Sequence, residues 1–103
     1  VLNCETKKKE ITVSTIAQKV ADYFDLTVKD LKSTARQQKI AHARHVAVYL
    51  AREVLQMSYE AIGEFFSKKH TTIMYSCDLV ADKLKTDEDL KISIEEIKAS
   101  LRN

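Results

Sequence analysis

Apolar residues recur along this chain at the three-to-four-residue spacing of amphipathic helices. Ile16, Val20 and Phe24 share one face of a helix predicted over about residues 13–25. The longest pattern covers about residues 39–56, and further helices are predicted over about residues 59–66, over about residues 70–85 and after the polar segment 86–89. With a short helix after Thr27, the pattern predicts a compact all-α domain of about five to six helices.

Residues that can cap helices stand at the predicted helix starts. Thr12 or Ser14 can cap the first helix and Ser58 the helix over residues 59–66, because a side-chain oxygen there accepts a free backbone N–H. Thr27 and Asp30 have the spacing of a capping box, which predicts a helix of one or two turns. The polar stretch 33–38 predicts a loop, and residues 67–69 predict a tight turn.

Composition agrees with an all-helical fold and excludes several classes of enzyme. The chain has 103 residues, no proline and a single glycine, Gly63, whereas β-sandwiches and barrels usually need more turn glycines. One glycine cannot form a phosphate-binding P-loop or a dinucleotide-binding fingerprint. We expect a single non-catalytic domain over residues 11–103, preceded by a tail or linker over residues 1–10.

Charge is distributed unevenly along a nearly neutral chain. The formal net charge is +2, yet the segment from Leu31 to Arg52 carries Lys32, Arg36, Lys39, Arg44 and Arg52 and no Asp or Glu. From Asp78 onward, acidic residues outnumber basic ones. A basic block is typical of a surface that binds phosphates, but a merely solvated face gives the same pattern, so charge alone leaves both interpretations open.

The cysteines and histidines give no clear metal or disulfide signal. Cys4 and Cys77 are far apart in sequence, and Cys77 falls on an apolar helical face, where a free buried thiol is common. His42 and His45 lack the spacing partners of a zinc site, so no metal is expected. Reduced cysteines, and the lack of a signal peptide or membrane-spanning apolar run, favour a cytoplasmic location. The first residue is not methionine, so we expect a fragment of a larger protein.

Residues 66–73 suggest the start of a DNA-recognition helix. Lys68 and Lys69 precede His70, Thr71 and Thr72, and the helical period resumes immediately afterwards. A short helix, a turn of three residues and a second helix form a helix-turn-helix, whose second helix enters the major groove. Threonine and histidine side chains can bond base edges there. Adjacent threonines are also common as simple helix caps, so the pair alone decides nothing.

The chain resembles the carboxy-terminal DNA-binding domain of the bacterial chromosomal replication initiators of the DnaA family. The resemblance rests on Arg44, on the segment 62–66 and above all on the segment 70–73. The likeness covers about residues 11–84, and the Asp30, Ser33 and Arg36 spacing agrees with it. The resemblance implies a Trp-repressor-like helical domain that binds the A·T-rich DnaA boxes of the replication origin. It also implies a cytoplasmic, nucleoid-associated bacterial protein.

The resemblance assigns roles to particular residues. Lys69, His70, Thr71 and Thr72 would face the major groove, and Arg36 would enter the minor groove. The residues expected at phosphates are Gln37, Lys39, Arg44, His45, Arg52, Ser58 and Lys68. ATP would bind a separate upstream domain, contacts with other initiator protomers would use domains outside this chain, and the isolated domain would be monomeric and need no cofactor.

Two departures from the family pattern affect the expected specificity. The turn Ser67-Lys68-Lys69 is one residue shorter than the family's Gly-Gly-basic-Asp stretch and places Lys69 where an aspartate is expected. An aspartate can accept a hydrogen bond from cytosine N4 and a lysine cannot, so we expect altered specificity at one base pair. The loop 33–38 is also poorer in arginine. Alternatives are another helix-turn-helix transcriptional regulator or a helical module whose basic face meets an acidic protein.

Overall fold

The computed structural model describes residues 11–34 and 36–102, the last of them by its backbone alone. The tail or linker predicted over residues 1–10, with Cys4, lies outside the described residues. Within them the fold is all-α, and no strand is present. The helices are α1 Val13–Tyr23, α2 Val28–Lys32, α3 Gln38–Leu55, α4 Tyr59–Phe66, α5 His70–Lys83 and α6 Glu88–Arg102. The predicted fold class and helix number are confirmed.

Side-chain caps fix the starts of four helices. The Thr15 N–H donates to Thr12 Oγ1 at 3.2 Å and starts α1. At α2 the capping box is complete, because Asp30 N donates to Thr27 Oγ1 and Thr27 N donates to Asp30 Oδ2, each at 3.1 Å. Ser58 Oγ accepts from Ala61 N at 3.1 Å at α4, and Asp87 accepts from Leu90 N at 3.0 Å at α6. The caps of α1, α2 and α4 stand on residues predicted from the sequence, and that of α6 lies in the polar segment 86–89.

Helix ends differ from the prediction by one or two residues. The first helix stops at Tyr23, and the third stops at Leu55 because Gln56 adopts a left-handed backbone with φ 55°. Asp25, with φ 61°, turns the chain after α1. Left-handed residues that are not glycine carry no clear sequence signal, so these stops were missed. Gln38, expected in the loop, belongs to α3.

The third helix is the centre of the domain. It packs against each of the other five helices. The helix is covered on more sides than the single apolar face of an amphipathic helix, because its fully buried residues are Ala43, Val46, Ala47, Val48, Leu50 and Ala51. Phe66 of α4 and Ile73 of α5 are buried in the same hydrophobic core as these α3 residues. The two helices that hold the candidate site therefore stand on a rigid base.

Candidate nucleic-acid interface

A three-residue turn joins α4 to α5 in a helix-turn-helix. Ser67 ends α4 in a left-handed conformation with φ 59°, where a glycine would be strain-free. The Lys68 N–H then donates to Gly63 O at 2.8 Å. The shortened, glycine-free turn thus closes by letting a serine take the left-handed position.

The single glycine lies where the turn folds back on α4. Gly63 is buried, and a Cβ built on it would lie 2.5 Å from the Lys68 carbonyl oxygen and 3.5 Å from Ile73 Cγ1. The first separation is shorter than real Cβ contacts. The turn can therefore approach α4 this closely only because residue 63 has no side chain.

The first turn of α5 presents unpaired polar side chains to solvent. His70, Thr71 and Thr72 are all exposed. The helix is preceded by Lys69 in the N-cap position, so neither threonine is the cap. Within the described part of the chain, neither threonine hydroxyl forms a hydrogen bond. The capping explanation for this pair is therefore not supported, and both hydroxyls can bond a ligand.

Lys69 is a poor residue for its position in the helix. It has the extended backbone of an N-cap, with φ −75° and ψ 152°, but its side chain makes no capping bond. A lysine cannot accept from the free N–H groups, and its charge lies at the positive end of the helix dipole. Only an anion bound at this end would turn that arrangement into a favourable one.

Replacing Lys69 with aspartate should stabilise the free domain by about 1 kcal/mol, because an aspartate supplies the missing cap and reverses the unfavourable charge. Urea unfolding of the wild type, Lys69→Asp and Lys69→Ala measures the change. The alanine variant removes the charge without adding a cap, so it should gain much less. An aspartate variant no more stable than the alanine variant would contradict this account of the helix start.

Arg44 joins the loop 33–38, the basic loop, to the rest of the site. Its Nε donates to Leu31 O at 2.8 Å and its Nη2 donates to Ser33 O at 2.9 Å. Lys68 Nζ donates to the same Ser33 oxygen at 3.2 Å. Partial burial and the neighbouring Arg44 lower the pKa of Lys68. The end of α2, the loop and the helix-turn-helix turn are therefore held together by two cations expected at phosphates.

Arg52 and Ser58 lie at the connection between α3 and α4. Arg52 Nη1 donates to Met57 O at 2.6 Å, and its guanidinium lies 4.5 Å from the centre of the Tyr59 ring. Ser58 remains exposed while capping α4. Their expected phosphate contacts stay a prediction, and both residues also have a structural role.

His45 lies half-buried between α3 and α5. Its ring meets the Tyr75 ring edge to face, with centres 6.5 Å apart. Burial lowers the pKa of His45, and the charges of Arg44 and Lys83 lower it further, as does His42. A neutral imidazole next to the cations can still donate one N–H to a phosphate oxygen.

The remaining predicted residues are exposed. Arg36 and Gln37 lie in the loop and Lys39 lies in the first turn of α3. None of these side chains forms a hydrogen bond or ion pair within the described ranges. The single ion pair of those ranges joins Lys85 to Asp82 at 4.0 Å, near the end of α5. Arg36 and Lys39 are thus not neutralised by carboxylates within the ranges that the structure describes.

Two exposed residues of α5 were missed in the sequence. Met74 is 40% exposed and Tyr75 is 63% exposed. They follow His70 and Thr71 by four residues, so they extend the same helix face. That spacing was visible in the sequence, but only the structure shows that this face is uncovered.

The described residues hold one free thiol and neither a three-residue metal cluster nor a membrane-spanning helix. No three His, Cys, Asp or Glu side chains there are close enough together to hold a metal ion. No helix there is long and apolar enough to cross a membrane. Cys77 is buried, as expected, and burial raises the pKa of its thiol to about 11.

Comparisons with known proteins agree with this geometry. The family model described as "Bacterial dnaA protein helix-turn-helix" matches residues 13–80. The chromosomal replication initiator protein DnaA of Caldanaerobacter subterraneus subsp. tengcongensis is 38% identical over 93% of this chain and 22% of its own length. The protein of the same name from Levilactobacillus brevis is 39% identical over 98% of this chain and 23% of its own length. The chain spans about a fifth of these relatives, and it belongs to the bacterial DnaA helix-turn-helix family.

Proposed function

We propose that this domain binds double-stranded DnaA boxes of the replication origin and so helps to initiate chromosomal replication. The observation that carries the proposal is the exposed first turn of α5. There His70, Thr71 and Thr72 present side chains without intramolecular partners in the described structure, directly after Lys68 and Lys69, which form no ion pair there. Free donors at a helix N-terminus within a basic surface suit base edges and phosphates together.

The major-groove contacts would come from the start of α5. His70 and Thr71 would bond base edges, and the Thr71 methyl group can also pack on a thymine methyl. Thr72 would contact a base or the backbone. Lys69 would face the base pair that an aspartate reads in the family, where a lysine favours the O6 and N7 acceptors of guanine over the cytosine N4 donor.

The remaining contacts would orient the domain. Arg36 would enter the adjacent minor groove, whose potential in A·T-rich DNA attracts a cation. Phosphates would be held by Gln37, Lys39, Arg44, His45, Arg52, Ser58 and Lys68. Such contacts position the protein without reading sequence. The ties from Arg44 and Lys68 to Ser33 support a loop held at a fixed distance from α5.

The larger activity would need regions outside this chain. The relatives are named chromosomal replication initiators, and the chain covers 22% of one of them. ATP binding and contacts with other initiator protomers would belong to those regions. The isolated domain would bind one box as a monomer.

Replacing Thr71 with alanine tests the proposal. It should weaken binding to box DNA by roughly 1–3 kcal/mol, concentrated at one or two base pairs, because a base contact is lost. Fluorescence anisotropy with box and scrambled duplexes at two salt concentrations gives the affinity, the specificity and the number of phosphate contacts.

Thr86→Ala is the matched control, because Thr86 is also exposed but follows α5 near the acidic residues. Thr86→Ala should change neither the affinity for box DNA nor the affinity for scrambled DNA. An equal loss on both duplexes from Thr71→Ala would refute base reading by Thr71. Tight binding of scrambled DNA by the wild type would favour a different regulator, and no DNA binding at all would favour a protein-interaction module.

A further inference from the structure

A second basic surface lies beside the loop, on α2 and α4. Val28, Lys29, Lys32 and Ser33 line a groove of about 490 Å³. Lys29 and Lys32 are exposed and lie three residues apart, so they share one side of α2. We call Lys29, Lys32 and Phe65 the α2 flank. None of the three is among the residues assigned to DNA above.

An aromatic ring holds one of these lysines in place. Lys32 Nζ lies 4.5 Å from the centre of the Phe65 ring, within the range of a cation–π contact. Phe65 in turn meets Phe66 edge to face, with ring centres 5.0 Å apart. Phe66 is fully buried in the core. The ammonium group of Lys32 therefore rests on a ring that is anchored to the folded domain.

The α2 flank is continuous with the candidate interface. Ser33 follows Lys32 directly, and its carbonyl oxygen accepts hydrogen bonds from both Arg44 and Lys68. These bonds fix the end of α2 beside the turn that starts the recognition helix. A duplex that contacts Arg36 and Lys68 would thus pass next to Lys32.

The two lysines of the α2 flank, Lys29 and Lys32, are not held in ion pairs within the described residues. The nearest acid in sequence, Asp30, accepts from the Thr27 N–H in the capping box. Glu64, the acid next to Phe65, is exposed and unpaired in the same ranges. Both ammonium groups therefore remain available to an anionic partner, although the carboxylates of Asp30 and Glu64 lie near them in sequence or on α4.

We propose that Lys29 and Lys32, the latter held by Phe65, bind backbone phosphates of the duplex flanking the recognised site on the side of the basic loop. The proposal rests on the proposed DNA binding and extends its footprint. Phosphates are the partner that fits, because the surface presents ammonium groups without base-reading geometry and continues a phosphate-binding face. Phosphate contacts from Lys29 and Lys32 would also compensate for the small number of arginines in the loop 33–38.

The test compares two duplexes with the double variant Lys29→Gln/Lys32→Gln. One duplex ends at the box. The other extends past it by about one helical turn, at the end of the box where Arg36 would enter the minor groove. On the extended duplex the variant should lower the salt slope by about 0.9 for each phosphate lost, so that the affinity ratio between about 50 and 200 mM salt shrinks by about tenfold. On the short duplex it should behave as the wild type.

Matched variants separate this effect from a general loss of charge. Lys91→Gln/Lys98→Gln removes the same charge from α6 and should leave both slopes unchanged. Phe65→Leu should give a smaller slope loss on the extended duplex only, with thermal unfolding checked to exclude misfolding. Equal behaviour of the α2 and α6 variants on the extended duplex would overturn the inference. If Thr71→Ala still lost box affinity in that case, the proposed DNA binding would stand and only the inference about the α2 flank would fail.

Discussion

Replacing Gly63 with alanine is expected to destabilise the domain by about 3 kcal/mol, the upper part of the range for inserting atoms into a packed interior. Helix propensity alone predicts the opposite, because alanine in a helix interior is favoured over glycine by about 1 kcal/mol. The steric contact of the new Cβ decides the sign of the stability change. The new Cβ would stand 2.5 Å from the Lys68 carbonyl oxygen.

The atom in the way belongs to the backbone, so no side-chain rotation can relieve the contact. Relief requires the turn 67–69 to move away from α4, which lengthens the bond from Lys68 N to Gly63 O. The turn also sets the start of α5. We therefore expect a loss of box affinity as well as stability, even at temperatures where the variant is folded.

Thermal unfolding followed by circular dichroism measures the first effect, with an expected fall of roughly 10–20 °C in the midpoint. Glu64→Ala is the control in the same helix, because Glu64 is exposed and its change should stay within about 0.5 kcal/mol. A Gly63→Ala midpoint equal to or above that of the wild type would show that the turn has room for a Cβ.

The helices and their caps could be predicted because they depend on residues near in sequence. The Thr27–Asp30 capping box and the Ser58 cap act over three residues, and the observed bonds match the prediction. The start of α5 at His70 was predicted for the same reason. The exposure of the first turn of α5 could not be predicted in the same way, because a local pattern does not show which helix face a neighbouring helix covers.

Contacts between distant residues could not be predicted. In the sequence Arg44 was one cation of a basic block expected at phosphates, whereas the fold places its guanidinium on carbonyl oxygens 11 and 13 residues away. The Lys32–Phe65 contact crosses from α2 to α4 and has no local signature. Gly63 likewise marked a family likeness in the sequence, and only the close approach of Lys68 gives its physical reason.

The turn before α5 combines two locally unfavourable choices. Ser67 takes a left-handed backbone without being glycine, and Lys69 stands at an N-cap that it cannot cap. Locally unfavourable residues in natural proteins often mark functional positions. Lys69 adjoins His70 and Ser67 lies three residues before it, so the deviation of this chain from the family pattern lies next to the part proposed to read DNA.

Replacing Arg44 is expected to have the largest effect on DNA binding outside α5. Arg44→Ala removes two charge-assisted hydrogen bonds to the end of α2 and should cost about 2 kcal/mol of stability. It also frees the loop that carries Arg36, so box affinity should fall at least about tenfold, which corresponds to about 1.4 kcal/mol.

Arg44→Lys separates holding the loop from contacting a phosphate. A lysine keeps the charge but has one ammonium group, which cannot reach Leu31 O and Ser33 O in the geometry of the guanidinium fork. If Arg44 acts by holding the loop, Arg44→Lys should lose affinity nearly as far as Arg44→Ala, with a salt slope close to that of the wild type. Adding Arg36→Ala should then cost less than it does alone, because both changes remove the same minor-groove contact. Wild-type affinity in Arg44→Lys would instead make Arg44 a phosphate contact whose ties to the loop are dispensable.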